Sequence, residues 1–341
     1  MLTVSIIVPC YNEQSTIRFL LNAIYAQTYP RSALEVIISD GLSEDNTRAE
    51  ITKFQDEHPD LHLQLVDNPI RSIPAGLNRA IQAATGEIII RLDAHSKPYP
   101  DYIERSVLAL ESGLGENVGG IWEIQPGKPG WMAESIAIAA AHPLGVGDAL
   151  YRHSSHQASV DTVPFGAFKS TLIDKIGMFD ETLLTNEDYE FNTRIRQSGG
   201  RVWLDPGIRS VYFARTSLTD LARQYWRYGF WKWRMLRRYP QTLRWRQALP
   251  PLFVISLLAG ALSAPFSACM RYFTGVEILI YLLVLFVASL QTFIHKRKGF
   301  LLIGLPLAIM TMHIAWGAGF LWSIILSSLR SQKKWLIHKP E

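Results

Sequence analysis

Three short stretches of the chain carry residues with chemistry to offer: Asp40 in "EVIISDGLSEDNT", Asp93 and His95 in "IIIRLDAHSKPYP", and Glu187 and Asp188 in "LLTNEDYEFNTRIRQSGG". Asp93 and His95 flank one alanine at the end of an apolar run. That spacing lets a carboxylate and an imidazole reach one cation or one ribose diphosphate together. Mg²⁺ prefers oxygen ligands whereas Mn²⁺ accepts imidazole, so the histidine tilts the expected ion toward Mn²⁺. Each stretch also has a plainer reading. Ser43 can cap a helix starting at Glu44, which would make Asp40 a residue ahead of a cap. Acids that open a helix, as Glu187 and Asp188 would, offset its dipole. A D-x-H triplet also recurs by chance. The order and spacing of all three stretches together outweigh these separate readings.

The elements that must position these residues alternate along residues 1 to 120. "TVSIIVP", "LEVIISD", "LHLQLVD" and "EIIIRLD" read as strands, and segments starting near Glu13, Glu44, Gly76 and Asp101 read as helices. Nearly continuous apolar strands separated by helices predict an α/β domain whose mostly parallel sheet is covered on both faces. Ligands of such sheets bind beyond the carboxyl ends of the strands, where "PCYNE", "SDGLSEDNT" and "DAH" collect. Acids, amides and backbone donors in that place suit a phosphorylated, metal-bound ligand. Residues 120 to 215 are less regular and read as the half that receives a second substrate.

The rest of the chain points to a membrane. Residues 222–247, "ARQYWRYGFWKWRMLRRYPQTLRWRQ", hold many Arg and Trp residues and no acid. Such a segment lies at the headgroup boundary, rings inward and guanidinium groups outward. Three apolar stretches follow at about 250–269, 276–294 and 301–326, each near the ~20 residues a bilayer crossing takes. The net charge of +4 comes from cations clustered ahead of these stretches, which fits a membrane surface and not nucleic acid. The basic 222–247 segment and "HKRKG" at 295–299 both favour the cytoplasm. "RSQKKWLIHK" after the third stretch favours it too, so three crossings conflict with the charge rule; Pro306 and "HIAWGAGF" allow a kinked or re-entrant third segment. The linear division is thus 1–221, 222–247, 248–329 and a basic tail at 330–341. "MLTVSIIVPCYNE" reads as a first strand and not as a signal peptide. Cys10 and Cys269 stand far apart and predict neither a disulfide nor a redox role.

The ordered set of stretches resembles the inverting family-2 glycosyltransferases with a GT-A fold, over about Val4 to Tyr228. "VSIIVPCYNE" is similar to that family's first nucleotide-binding strand, and "ISDGLSEDNT" to its D-D-G-S-x-D segment. Here Ser39 replaces an acid and Leu42 looks inserted. "RLDAH" resembles the D-x-D, "NEDYEF" the E-D segment and "RQYWRYG" the Q-x-x-R-W element. The resemblance implies Asp188 as catalytic base with Glu187 beside it. It implies nucleotide-sugar contacts from Pro9, Tyr11, Glu13, Asp40, Asp93, Gln224, Arg227 and Tyr228, and a divalent cation, Mn²⁺ or Mg²⁺, on His95 and Asp93. The histidine in "RLDAHSKPYP", with "GVGDALYR" and "VDTVPFGAFKS", resembles the subgroup that builds exopolysaccharides such as succinoglycan. That implies transfer of a hexose such as glucose from a UDP-sugar to a polyprenyl-diphosphate-linked acceptor, by a multi-pass protein of the plasma membrane with a cytoplasmic catalytic domain. A polyprenyl-phosphate glycosyltransferase, a polysaccharide synthase and a non-catalytic nucleotide-sugar-binding regulator are the alternatives. Three apolar spans are few for an export pore, and Ser39 is what leaves the regulator open.

Overall fold

The computed structural model describes residues 1–337, with side chains through 329; the basic tail expected at 330–341 lies outside the described side chains. The strands are β1 (Val4–Cys10), β2 (Leu34–Asp40), β3 (His62–Asp67), β4 (Ile88–Arg91), β5 (Lys97–Pro98), β6 (Asn117–Pro126), β7 (Ala158–Ser159), β8 (Ala167–Lys169) and β9 (Val202–Ala214). Between them run α1 (Ile17–Tyr25), α2 (Thr47–Glu57), α3 (Ile73–Ala83), α4 (Tyr102–Glu111), α5 (Trp131–Ala141), α6 (Pro143–Val146), α7 (Thr171–Ile176) and α8 (Glu187–Gln197). After β9 come α9 (Leu218–Leu236), α10 (Trp245–Ser263), α11 (Ala268–Lys296) and α12 (Leu301–Ile337).

The chain divides into two compact units, residues 1–124 with 149–213, and residues 125–148 with 214 onward. These units cut across the linear division at 221, because 125–148 groups with the C-terminal helices. In the first unit the sheet order is β3-β2-β1-β4-β8-β6-β9-β5, with β7 added on β9. The four N-terminal strands pair in parallel, as their unbroken apolar runs predict. From β4 onward the partners are antiparallel: Ile90 faces Ala167, and Val118 also faces Ala167. The parallel expectation therefore holds for one half of a mixed sheet. Ile6, Val8, Val36, Ile38, Ile88 and Ile90 are 0% exposed and form the core on one face with α1, α2 and α4; Ile7, Ile37 and Ile89 meet α3 and α8 on the other.

The four predicted helices begin within a few residues of the expected places, and one cap differs. α2 starts at Thr47, not Glu44, and Ser43 caps nothing. Its amide instead donates to Asp40 Oδ2 at 2.9 Å and its hydroxyl accepts from the Asn12 amide at 2.8 Å. Ser43 is held by these bonds, its donors on the Asp40 carboxylate and its oxygen on the Asn12 amide, so it offers no acceptor to a helix N-terminus. α8 opens on Glu187, Asp188 and Glu190 and closes on Arg194 and Arg196, matching both ends of its dipole.

In the second unit α10, α11 and residues 301–329 of α12 are long and apolar enough to cross a membrane. Of the segment expected at the interface, residues 222–236 lie in α9, which packs along α12, and residues 245–247 open α10. A Cβ on Gly229 would sit 2.0 Å from the Trp316 carbonyl oxygen, and one on Gly319 would sit 2.3 Å from that of Trp226. Two side-chain-free positions let the backbones touch. Gly319→Leu should therefore force α9 off α12, at a cost of about 1–3 kcal/mol or more. A lowered melting midpoint in detergent, read against Gly299→Leu, where the added Cβ meets nothing within 4 Å, checks this.

Candidate active site

The site grows from the end of β4. Arg91 closes that strand with a side chain only 4% exposed, and it finds its partners on two elements. Its guanidinium donates to Asp93 Oδ1 at 3.0 Å, to Glu187 Oε1 at 3.0 Å, and to Asp188 Oδ1. One buried cation thus joins the Asp93 loop to the first turn of α8, and the predicted carboxylates of two distant stretches meet on it. Three carboxylates around one guanidinium leave a surplus of negative charge. Burial, with Glu187 and Asp93 alongside, pushes the Asp188 carboxyl up to about 7, although Arg91 pulls the other way. The same acids and hydrogen bonds outweigh burial and hold the Arg91 guanidinium above its ordinary range.

α8 is held firmly enough to fix these distances. Arg194, one helical turn after Glu190, bonds that carboxylate at 2.7 Å and also donates to the carbonyls of Ile176, Gly177 and Met178. Asn192, 1% exposed, takes a 2.6 Å bond from Asn117 and donates to Thr162 Oγ1 at 2.9 Å. These bonds tie α8 to the loop after α7, to β6 and to Thr162, which pins the helix start.

On the other side of Asp93 the loop turns sharply, the Ser96 amide and hydroxyl both donating to the Asp93 carbonyl. That turn presents His95, whose Nδ1 lies 3.1 Å from Glu13 Oε1. Burial works against ionisation of Glu13, but bonds from His95 and Thr16 hold its carboxyl below the usual range. Among the described residues no group of three His, Cys, Asp or Glu side chains is arranged to hold a metal ion. Asp93, His95 and the neighbouring Glu13 offer a small mixed oxygen and nitrogen set. That set fits a cation that takes most of its ligands from phosphate and water, as Mg²⁺ and Mn²⁺ do at nucleotide sites.

A third cluster gathers where β1 and β2 end. Tyr11 is 40% exposed, and the Arg71 guanidinium stands 5.2 Å from its ring centroid while also pairing with Glu44 at 3.0 Å. Asp40 is 0% exposed, its carboxylate taken by Ser43 and by Arg48 at 3.0 Å, which reaches on to Asp67 at 2.8 Å. The oxygens Ser39 Oγ and Asn68 Oδ1 are buried without a partner, close to Pro9 and Gly76. Cys10 is free, and burial together with Asp40, Glu13 and Asp45 pushes its thiol far up, which removes it as a nucleophile.

Gln224, Arg227 and Tyr228 stand on α9 of the second unit, with Gln224 Nε2 donating to Tyr228 Oη at 2.9 Å. Of the other histidines, His142 accepts from the Leu144 amide at 3.1 Å and caps α6. Sequence reasoning missed Arg91 and Arg48. The signal for Arg91 was present, a cation closing the apolar run "IIIR", since a charge in a doubly covered strand requires a buried counterion. Arg48 gave no such sign on the polar "DNTRAE".

The pattern described as "Glycosyl transferase family 2" matches residues 5–177, and the chain belongs to that family; its activity is that of a glycosyltransferase, on a GT-A fold. Two curated relatives align almost end to end. Succinoglycan biosynthesis protein ExoA of Rhizobium meliloti (strain 1021) is 29% identical over 333 residues, 95% of this chain and 96% of the relative. The Dolichyl N-acetyl-alpha-D-glucosaminyl phosphate 3-beta-D-2,3-diacetamido-2,3-dideoxy-beta-D-glucuronosyltransferase of Methanococcus voltae is 27% identical over 328 residues, 94% of this chain and 97% of the relative. Among solved structures, the mannosyltransferase PcManGT from Pyrobaculum calidifontis in complex with GDP-Man and Mn²⁺ shares the fold. Its TM-score is 0.65 at 21% identity, covering 94% of this chain and 87% of that one.

Proposed function

We propose that this protein transfers a hexose such as glucose, with inversion, from a UDP-sugar to a polyprenyl-diphosphate-linked oligosaccharide during cell-surface or exopolysaccharide synthesis. The observation that carries the reading is Asp188: a carboxyl with 28% of its side chain open to solvent, tuned to about 7, on the same guanidinium as Asp93. A base titrating near neutrality is the kind that removes a hydroxyl proton efficiently at physiological pH. In this reading Asp188 takes the acceptor proton as the hydroxyl attacks the anomeric carbon, and the bond to the nucleoside diphosphate breaks on the opposite face. Glu187, on Arg91 at 3.0 Å, fixes the rotamer of its neighbour. Asp93 and His95 hold a divalent cation, which would supply charge neutralisation to the departing diphosphate.

Tyr11, Pro9 and Glu13 face the nucleotide in this reading. Base reading by Asp40 requires Arg48 or Ser43 to give up its bond first. Gln224, Arg227 and Tyr228 bind diphosphate or acceptor. The lipid-linked acceptor is supported by the dolichyl phosphate in the name of the Methanococcus voltae relative and by the apolar helices. The basic segments support a cytoplasmic position for the catalytic residues at the plasma membrane.

Transfer of labelled sugar to extracted lipid, with and without Mn²⁺, tests the activity. His95→Ala should weaken Mn²⁺ dependence and lower turnover by at least tenfold, the scale of losing a ligand or its support. Unchanged activity and unchanged metal response would remove His95 from the site.

A further inference from the structure

We propose that the opening of α5 is a membrane contact in its own right: Trp131 and Lys128 rest in the anionic headgroup layer of the leaflet where α11 ends. The evidence is confined to the second unit and begins with depth. α11 is 29 residues long, about 43 Å at 1.5 Å per residue and more than the ~30 Å apolar core, so one of its ends must emerge. The residues that emerge are "HKRKG" at 295–299, all exposed, since a run of cations is expelled from hydrocarbon. Lys298 in that run pairs with Glu134 of α5. On the other side of the turn, a Cβ on Gly304 would lie 2.1 Å from Ser135 Oγ and 3.3 Å from the Trp131 ring. The first turn of α5 is therefore tied to both sides of the α11–α12 turn, and it shares the depth of that turn whatever course α12 takes beyond it.

The side chains at this depth suit an interface. α5 buries Ala133, Ser135, Ile136, Ala137, Ala139 and Ala140, yet it leaves Trp131 50% exposed. Indole has an apolar body and a polar N–H, so it collects at headgroup level, between water and hydrocarbon. Residues 125–130 ahead of it are exposed as well and supply Lys128. Between Glu123 and Glu134 the chain holds no acid, and Glu134 is already taken by Lys298. Lys128, Lys296 and Arg297, all exposed, give this end of the unit a positive rim beside one aromatic ring. Anionic lipid matches that rim, because each Lys or Arg near such a surface favours contact about fivefold. The contact lies outside the basic, Trp-rich stretch at 222–247. It is inserted between β6 and β7, within the residues 5–177 that match the family.

The test uses the full-length chain in nanodiscs, with Cys269→Ser removing the exposed native thiol and a fluorophore on Trp131→Cys. Labels on Lys53→Cys, exposed on α2, and on Leu283→Cys, exposed on α11, mark water and hydrocarbon. In phosphatidylcholine bilayers containing phosphatidylglycerol, a lipid nitroxide near the headgroup should quench the label at 131, and iodide should quench it at least about fivefold less than the label at 53. Leaving out phosphatidylglycerol should raise iodide access at 131 toward the value at 53. Iodide reaching 131 as freely as 53 in the anionic bilayer would overturn the proposal. So would equal quenching with and without phosphatidylglycerol, and so would a label that neither quencher reaches, which would mean that a second copy or another protein covers the site. Pro129→Cys, which keeps Trp131, gives the same reading if Trp131→Cys lowers the melting midpoint in detergent.

Discussion

Asp188→Asn is expected to leave donor binding intact and to cut transfer by ~10²–10⁴, the usual contribution of a positioned general base. The amide keeps the volume and the contact with Arg91 but cannot accept a proton. A side chain pushed up to about 7 adds a second readout. Below that pH Asp188 is protonated and cannot act as base, so kcat should climb with pH through the neutral range and level off above it. The variant's residual rate should lack that rise. Measured donor affinity separates the base from a binding role: an Asn variant that turns over within a few-fold of the parent would end the assignment, whatever its pH profile.

Removal of Arg91 should have the largest effect on stability. Arg91→Met preserves bulk but leaves Glu187, 9% exposed in its side chain, and Asp93 and Asp188 around a site without its cation. Taking one partner from a buried ion pair commonly costs about 3–5 kcal/mol, because the remaining charge has neither water nor counterion. The sign with pH follows from linkage. Without Arg91 the Asp188 carboxyl, already raised by burial and its acidic neighbours, loses the cation that pulls it down, so the folded form binds that proton more tightly still. The stability deficit of Arg91→Met should therefore be largest above neutrality and shrink as pH falls toward 5. Melting midpoints of parent and variant at pH 5 and pH 8 read this directly; a deficit equal at both would mean that packing, not charge, is what Arg91 supplies. Arg91→Lys should recover part of the stability but less of the turnover, since one ammonium cannot reproduce a fork that reaches three carboxylates.

The parts of this molecule that a sequence reader can see are those governed by local periodicity. "EVIISD" ended on Asp40 and became β2, and "EIIIRLD" became β4, because an apolar run covered on both faces leaves few other structures open. Asp93, Glu187 and Asp188 were legible as candidates, and the resemblance to the glycosyltransferase family is what grouped them. The medium of that meeting was not legible: a guanidinium bridging two stretches nearly a hundred residues apart has no local signature. Pairing of β4 with β8 was equally hidden, since β8 is only three residues long and its partners are set by tertiary contacts. The grouping of α5 with the C-terminal helices was missed for a related reason. "WMAESIAIAAA" reads as apolar whichever unit supplies the cover, and contacts such as Ser135 packed against Gly304 and Glu134 paired with Lys298 reveal which.

The position of Arg91 at the last residue of β4 has a consequence for how the chain is made. During synthesis β4 emerges with β1 ready to pair on one edge, but its other edge waits for residues 167–169, and its cation waits for Glu187 and Asp188. A nascent chain, or a recombinant fragment, that stops ahead of residue 167 would carry a central strand with an open edge, and one that stops ahead of α8 would carry a buried-type arginine with no acid beyond Asp93 to neutralise it. The residues that complete the chemistry also complete the fold, so truncations ending short of residue 188 are expected to be recovered as aggregate and not as a small nucleotide-binding domain.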